Sequence, residues 1–306
     1  MTPRATDGAP SIVFVGGTGR SGTHVVARLL GRHSHFENIT NEVRFHVDPG
    51  GFPDLLAGRT TPERFVSRLR GRWYRGVALQ RASLRGLHRF VDRPALDAAA
   101  DRFLAAYPAD PEVACRELFL ELLAPIATDA GKPGLIEQSC DTIAEAPTLL
   151  RLFPEARFIH VLRDGRDTAA SRVAQARWLA RPRTLLQGLR WWDERMRRID
   201  AGMREVPDDQ SIAISLDELI DLRRRNTYQR LLRFLDLKQD QNMLGFFRRQ
   251  VNSGAGNVGR WQRRAGDERQ EQIDAAYREI LAGFERDRVH GIRLLKRVFE
   301  SRNGGQ

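Results

Sequence analysis

The segment Ser11-Ile-Val-Phe-Val-Gly-Gly-Thr-Gly-Arg-Ser-Gly-Thr-His24 constrains the fold of this chain more than any other. Ile12 to Val15 are apolar without a break, the pattern of a strand buried on both faces. Glycines then punctuate the chain at 16, 17, 19 and 22, which lets the backbone turn tightly, and a helical pattern begins near Thr23. A strand, a glycine-rich turn and a helix in this order aim successive N–H groups at one point, to which the helix dipole adds positive potential. Such a turn holds an anion.

Spacing narrows the choice of anion. A nucleoside-triphosphate loop needs Gly, four residues, Gly, Lys, then Ser or Thr. Counting from Gly17 reaches Gly22, but Thr23 and His24 follow, and the lysines of the chain, Lys132, Lys238 and Lys296, all lie far from the loop. Arg20 is the cation at hand. A second buried run, Arg157 to Leu162, leads into Arg163-Asp-Gly-Arg-Asp-Thr-Ala-Ala-Ser171. With a strand ending near Arg163 and a helix starting near Asp167, Ser171 lies about one turn into that helix and faces back to the strand end. Read alone, Arg163, Asp164, Arg166 and Asp167 are equally a solvated ion-pair turn.

Gly19-Arg-Ser-Gly-Thr23 after the first strand, with Arg163 and Ser171 after a later one, resembles the 3′-phosphoadenosine-5′-phosphosulfate-dependent sulfotransferases, in particular their bacterial and tyrosylprotein-type branch. Shorter matches follow in the family's order: Leu152 to His160, Trp191-Trp192, Leu216 to Ile220, and Val258 to Trp261. The resemblance implies that Gly19, Arg20, Ser21, Gly22, Thr23 and His24 hold the 5′-phosphosulfate of the donor. Arg163 and Ser171 hold its 3′-phosphate, and Gly259 and Arg260 belong to a lid; Trp261 either stacks there or anchors its helix. It further implies that Glu42, two residues before Arg44, takes the proton of the acceptor hydroxyl, while Arg20 and the Gly22 to His24 amides stabilise charge on the leaving oxygen. Many relatives carry a lysine after the second strand; this chain reads Ile136-Glu-Gln-Ser-Cys-Asp141. Gln138 stands in the lysine's place, and Arg44 is the candidate substitute cation. Glu37 and His46 compete with Glu42 for the base role.

Strands expected at Ile12 to Val15, Leu135 to Glu137, Phe158 to Leu162 and Ser211 to Ile214 alternate with helices. The expected fold is therefore α/β and three-layered, a mostly parallel sheet with a P-loop-like phosphosulfate loop and ligand loops at the strands' carboxyl ends. One domain spans 1–306, with a helical insertion at 48–133 read as a cap and disorder expected at 1–10 and 301–306. Trp73, Tyr74 and Phe90 of the insertion read as packing or as acceptor lining. The net charge of +11 comes from arginines mixed with acids, as in Arg195 to Asp200 and Asp221 to Arg225. That mixture reads as solvated helix faces and not as a nucleic-acid footprint, while a positive field suits a polyanionic donor. Cys115 and Cys140 have neither disulfide-framework nor metal spacing, and His33, His35 and His46 lack a firm further ligand, so no metal is expected. Without an eighteen-residue apolar run or an apolar signal core, a cytoplasmic protein with no membrane span is expected. The expected reaction is sulfuryl transfer to a hydroxyl of a small molecule, glycan or peptide. A P-loop-like nucleotide kinase and a nucleotide-binding protein with little catalysis stay open beside it.

Overall fold

The computed structural model describes residues 10–76, 86–175, 182–265 and 267–303. From the N-terminal side, β1 (Ser11–Gly16) leads to α1 (Thr23–Leu30) and β2 (Phe36–Asn38). Four helices come next: α2 (Phe52–Leu56), α3 (Pro62–Arg68), α4 (Arg93–Ala106) and α5 (Pro111–Asp129). The chain then forms β3 (Gly134–Glu137), α6 (Ala146–Leu152), β4 (Arg157–Leu162), α7 (Gly165–Gln175), α8 (Leu185–Met203) and β5 (Ser211–Ser215). It ends in α9 (Arg224–Phe234), α10 (Gln241–Gln250), α11 (Ser253–Gly256), α12 (Arg260–Ala265), α13 (Asp267–Arg286) and α14 (Ile292–Asn303). None of the described helices is long and apolar enough to cross a membrane.

The five strands lie in the order β2-β3-β1-β4-β5. Every pairing is parallel, which the helical crossovers make possible, and Phe14 of β1 sits between Glu137 of β3 and Phe158 of β4. Side chains alternate across this sheet with period two, and each face is covered. Ile12, Phe14, Leu135 and Phe158 join a core with α2 to α6, whereas Val13, Val15, Ile136 and Ile159 join one with α1, α9 and α10. A third cluster gathers α7, α8, α13 and α14 around Leu162. This is the three-layered, parallel α/β arrangement expected, with β2 as a strand the periodicity missed.

The 48–133 excursion, read from the sequence as a helical cap, meets both the loop after β2 and the sheet: Gly86 N donates to the Glu42 carbonyl at 3.5 Å. Phe52, Phe65, Phe103 and Phe119 of the excursion share one core with Phe14, so it is a covering layer of the sheet. Trp73, with Tyr74 and Phe90 beside it, packs into that core. Residues 301–303 close α14 instead of being irregular, while 1–9 and 304–306 lie outside the described residues. The loops leaving β1 and β3 diverge: the first enters α1 on one face, the second enters α6 on the other. Divergence of this kind opens a crevice at the carboxyl ends of the central strands.

Candidate active site

At the end of β1 the chain turns through Gly19 and Gly22 with φ of 80° and 98°. Gly22 has no substitute, since a Cβ there would stand 2.6 Å from Leu216 Cδ2 in a backbone region that side chains rarely enter. Gly17 is confined too, with a Cβ position 2.5 Å from Ser21 Oγ. Arg20 itself takes a left-handed φ of 64°, and for a non-glycine residue such strain at a loop tip is a mark of functional geometry.

Several helices of the fold are closed by a side chain at their amino end, and the one this turn feeds is not. Thr61, Asp92, Asp110 and Asp240 each cap a helix by accepting first-turn N–H groups. Helix α1 has Gly22 at that place, no side-chain cap and no acidic residue in its first turn. Its leading N–H groups are therefore left for another acceptor, and the buried Ser21 hydroxyl beside them also has no partner. An anion fits both.

The second motif closes on the first. Arg20 Nε donates to Ser171 Oγ at 3.0 Å across 151 residues, and Arg163 Nη1 donates to the Arg20 carbonyl at 3.2 Å. Loss of surrounding water and the nearby charges of Arg163 and Arg260 push the Arg20 guanidinium below its ordinary pKa. Three cations held this close are stabilised by a shared anion. Arg163 and Ser171 thus lie against the first loop, with Arg260 near enough for its charge to act on Arg20.

Arg163 does more than face the loop. Its Nη2 donates to the carbonyls of Gly256 and Asn257, at 2.6 and 3.2 Å. Asp167 completes the grip by accepting from Gly259 N at 2.9 Å and Trp261 N at 3.1 Å, so it caps α12 from a different helix. Burial, with Asp164 next to it, raises the Asp167 carboxyl above its ordinary pKa despite these donors. Trp261 is an anchor: it is buried, and the Arg166 guanidinium stacks 4.7 Å from its ring centre.

Glu42 faces the crevice from the loop after β2. Its Oε2 accepts from Arg44 Nη1 at 3.1 Å, its Oε1 receives the Cys140 thiol at 3.4 Å, and His24 Nε2 stands 3.8 Å from Oε1. Burial, then the Glu42 charge, push Cys140 up to about 12, so it remains a thiol donor at neutral pH. Arg44 is not the free cation expected in the lysine's stead. Its guanidinium also donates to Asp48 at 2.6 Å and to Asp141 at 2.8 Å, and these carboxylates outweigh burial to raise its pKa. It orients Glu42. Asp141 is likewise pushed up by burial but held below the ordinary carboxylate range by Arg195 and Arg44.

The remaining candidates sit elsewhere. Gln138 is fully buried, and neither amide atom is paired among the described residues. Glu37 pairs with Lys132 at 2.7 Å near the amino end of β3. His46 lies buried among Phe14, Phe45 and Phe119, 3.1 Å from Glu137. Neither meets an acceptor there. His33 contacts the Lys238 carbonyl at 3.0 Å and His35 contacts Ser11 at 3.3 Å, so these imidazoles and His46 diverge. The pairing of Arg44 with Asp141 has no signal in the sequence, because residues 97 apart share no spacing, whereas Asp48 stands four residues on and was within reach of a spacing argument.

Comparison with known proteins agrees with this geometry. Residues 10–241 match the model of the sulfotransferase family. The protein-tyrosine sulfotransferase of Drosophila melanogaster is 22% identical over 238 residues, which cover 76% of this chain and 39% of that protein. The chain thus spans about two fifths of this curated relative's length. Among solved structures, the sulfotransferase domain from the curacin biosynthetic pathway superposes with a TM-score of 0.52 at 13% identity, covering 90% of this chain and 98% of that one. The sulfotransferase domain of the Synechococcus PCC 7002 olefin synthase gives 0.51 at 15% identity, covering 91% and 97%. Both are similar in fold.

Proposed function

The chain belongs to the sulfotransferase family, and on that footing we propose that it moves a sulfuryl group from 3′-phosphoadenosine-5′-phosphosulfate to an acceptor hydroxyl. The observation that carries the reading is the Arg20–Ser171 hydrogen bond, with Arg163 on the Arg20 carbonyl, since it makes one anion site of two distant motifs. The donor supplies an activated sulfuryl group and a leaving phosphate. The uncapped N–H groups of α1, with Ser21 and Arg20, hold the phosphosulfate end and stabilise charge on the leaving oxygen; electrostatic help of this kind needs no proton transfer to that oxygen. Arg163 and Ser171 hold the 3′-phosphate, with Gly259 and Arg260 closing over it. Glu42, fixed by Arg44, takes the acceptor's proton. The acceptor is a hydroxyl of a small molecule, glycan or peptide, and the free thiols Cys115 and Cys140 favour a reducing, cytoplasmic setting.

Calorimetric titration with adenosine 3′,5′-bisphosphate beside adenosine 5′-phosphate, in a chelating buffer, tests the donor assignment. Tight binding that depends on the 3′-phosphate is expected. Equal affinity for the two nucleotides, or none for either, would sink it.

A further inference from the structure

His24 occupies the second position of α1, beside the first-turn N–H groups, yet its ring is directed at the candidate base: Nε2 lies 3.8 Å from Glu42 Oε1. Exposure separates the two side chains, at 41% for His24 and 9% for Glu42. An acceptor arriving from solvent meets the imidazole first. Glu42 is fixed by Arg44 at one oxygen and by the Cys140 thiol at the other, so it is placed to receive a proton from a neighbour more readily than to reach out for one.

We infer that His24 carries the acceptor's proton to Glu42. This rests on the sulfuryl-transfer reading above and deepens it, giving His24 a role at the acceptor in place of the donor contact that the family resemblance implies. In the step, the acceptor oxygen bonds to sulfur while the bond from sulfur to the bridging phosphate oxygen breaks, and the leaving phosphate keeps the electron pair. The acceptor's proton passes to His24 Nδ1, and the Nε2 proton passes to Glu42 Oε1. The imidazole ends neutral and Glu42 ends protonated, to be discharged to water after the products leave. The present 3.8 Å closes to hydrogen-bond reach by rotation of the half-exposed ring, as catalytic contacts that are long without substrate tighten when it binds.

The test follows labelled sulfuryl transfer from 3′-phosphoadenosine-5′-phosphosulfate to phenol, with adenosine 3′,5′-bisphosphate binding measured on the same preparations. His24→Ala is expected to bind the bisphosphate as tightly as wild type but to lose turnover by roughly 10²-fold or more. Added imidazole restores part of the loss. Because the two groups act on one path, His24→Ala with Glu42→Gln is expected to be about as slow as Glu42→Gln alone. Wild-type turnover in His24→Ala, or a loss that follows weaker bisphosphate binding and is not rescued by imidazole, overturns the relay and leaves His24 a donor contact. Failure of the wild type to bind the bisphosphate overturns the donor reading beneath it. A wild type that binds but transfers to neither phenol nor water removes the transfer step and the relay with it.

Discussion

Three residues carry separable consequences. Ser171 spends its hydroxyl on Arg20, so Ser171→Ala removes one polar contact of the anion site without touching the core. Loss of a charge-assisted hydrogen bond of about 1.5–3 kcal/mol corresponds to a roughly tenfold or greater weakening of bisphosphate affinity; calorimetry checks it, and an unchanged affinity would exclude Ser171 from the clamp. Gly22→Ala adds a Cβ to a left-handed residue against Leu216. We expect both a lower melting temperature, from about 1–3 kcal/mol of strain, and loss of anion binding as the turn opens. Arg44→Ala removes one cation shared by Glu42, Asp48 and Asp141, although Asp141 keeps Arg195 and Asp48 keeps the Trp73 indole. Removing one partner of a buried ion pair costs up to about 3–5 kcal/mol, and the contacts that remain put this variant at or below that range, so denaturant unfolding should show a fall in stability. A merely catalytic Arg44 would leave that midpoint in place.

At the scale of elements, the segment from Gly256 to Trp261 is tied from beneath. Asp167 in α7 caps α12 in place of the missing local cap, and removal of a cap costs about 0.5–2 kcal/mol. Asp167→Asn should therefore speed amide exchange at Gly259 and Trp261 while strands β1 and β4 keep their protection; equal rates in variant and wild type would mean that Asp167 does not hold this segment. How far elements were legible depended on local signal. β1, β3 and β4 announce themselves as apolar runs, because a parallel strand buried on both faces has no polar alternation, and β5 at the sheet edge shows through its Ile-Ala-Ile centre. β2 does not, since Phe36-Glu-Asn38 is too short and its centre is charged. The first loop was readable because glycine spacing and helix onset are neighbours in sequence, and the motif after β4 for the same reason. The pairing of Arg44 with Asp141, the burial of Gln138 and the layer formed by α2 to α5 arise only when distant segments pack, and no window of sequence contains them.

The molecule as a whole has an acid limit written into its sheet. His160 of β4 is fully buried with both ring nitrogens unpaired, and its ring stacks on His290 at 5.3 Å. Burial, reinforced by the other imidazole, holds His160 well below the ordinary 6.5; burial also lowers His290, against the opposing charges of Asp200 and Asp208. The unfolded chain takes up protons near that ordinary value which the folded chain refuses. Stability is thus full above it and falls as the pH drops below, by up to about 1.4 kcal/mol per pH unit for each such imidazole. Calorimetric melting at pH 7 and pH 5 should show this slope, and His160→Phe, which deletes a titrating group with no hydrogen bond to lose, should flatten it at no cost at pH 7. A variant as acid-sensitive as the wild type would assign the slope to other groups.

The contact between Arg20 and Ser171 also sets an order in time. During synthesis the glycine-rich loop leaves the ribosome 151 residues before the serine it bonds, and β4 must pair with β1 before the two can meet. Contacts so far apart in sequence form late, because the chain entropy of closing the intervening loop is lost before they repay it. A nascent chain halted short of residue 171 holds the turn but not the site. Formation of the Arg20–Ser171 contact is therefore a signal that β4 has joined β1, and not that the loop alone has folded.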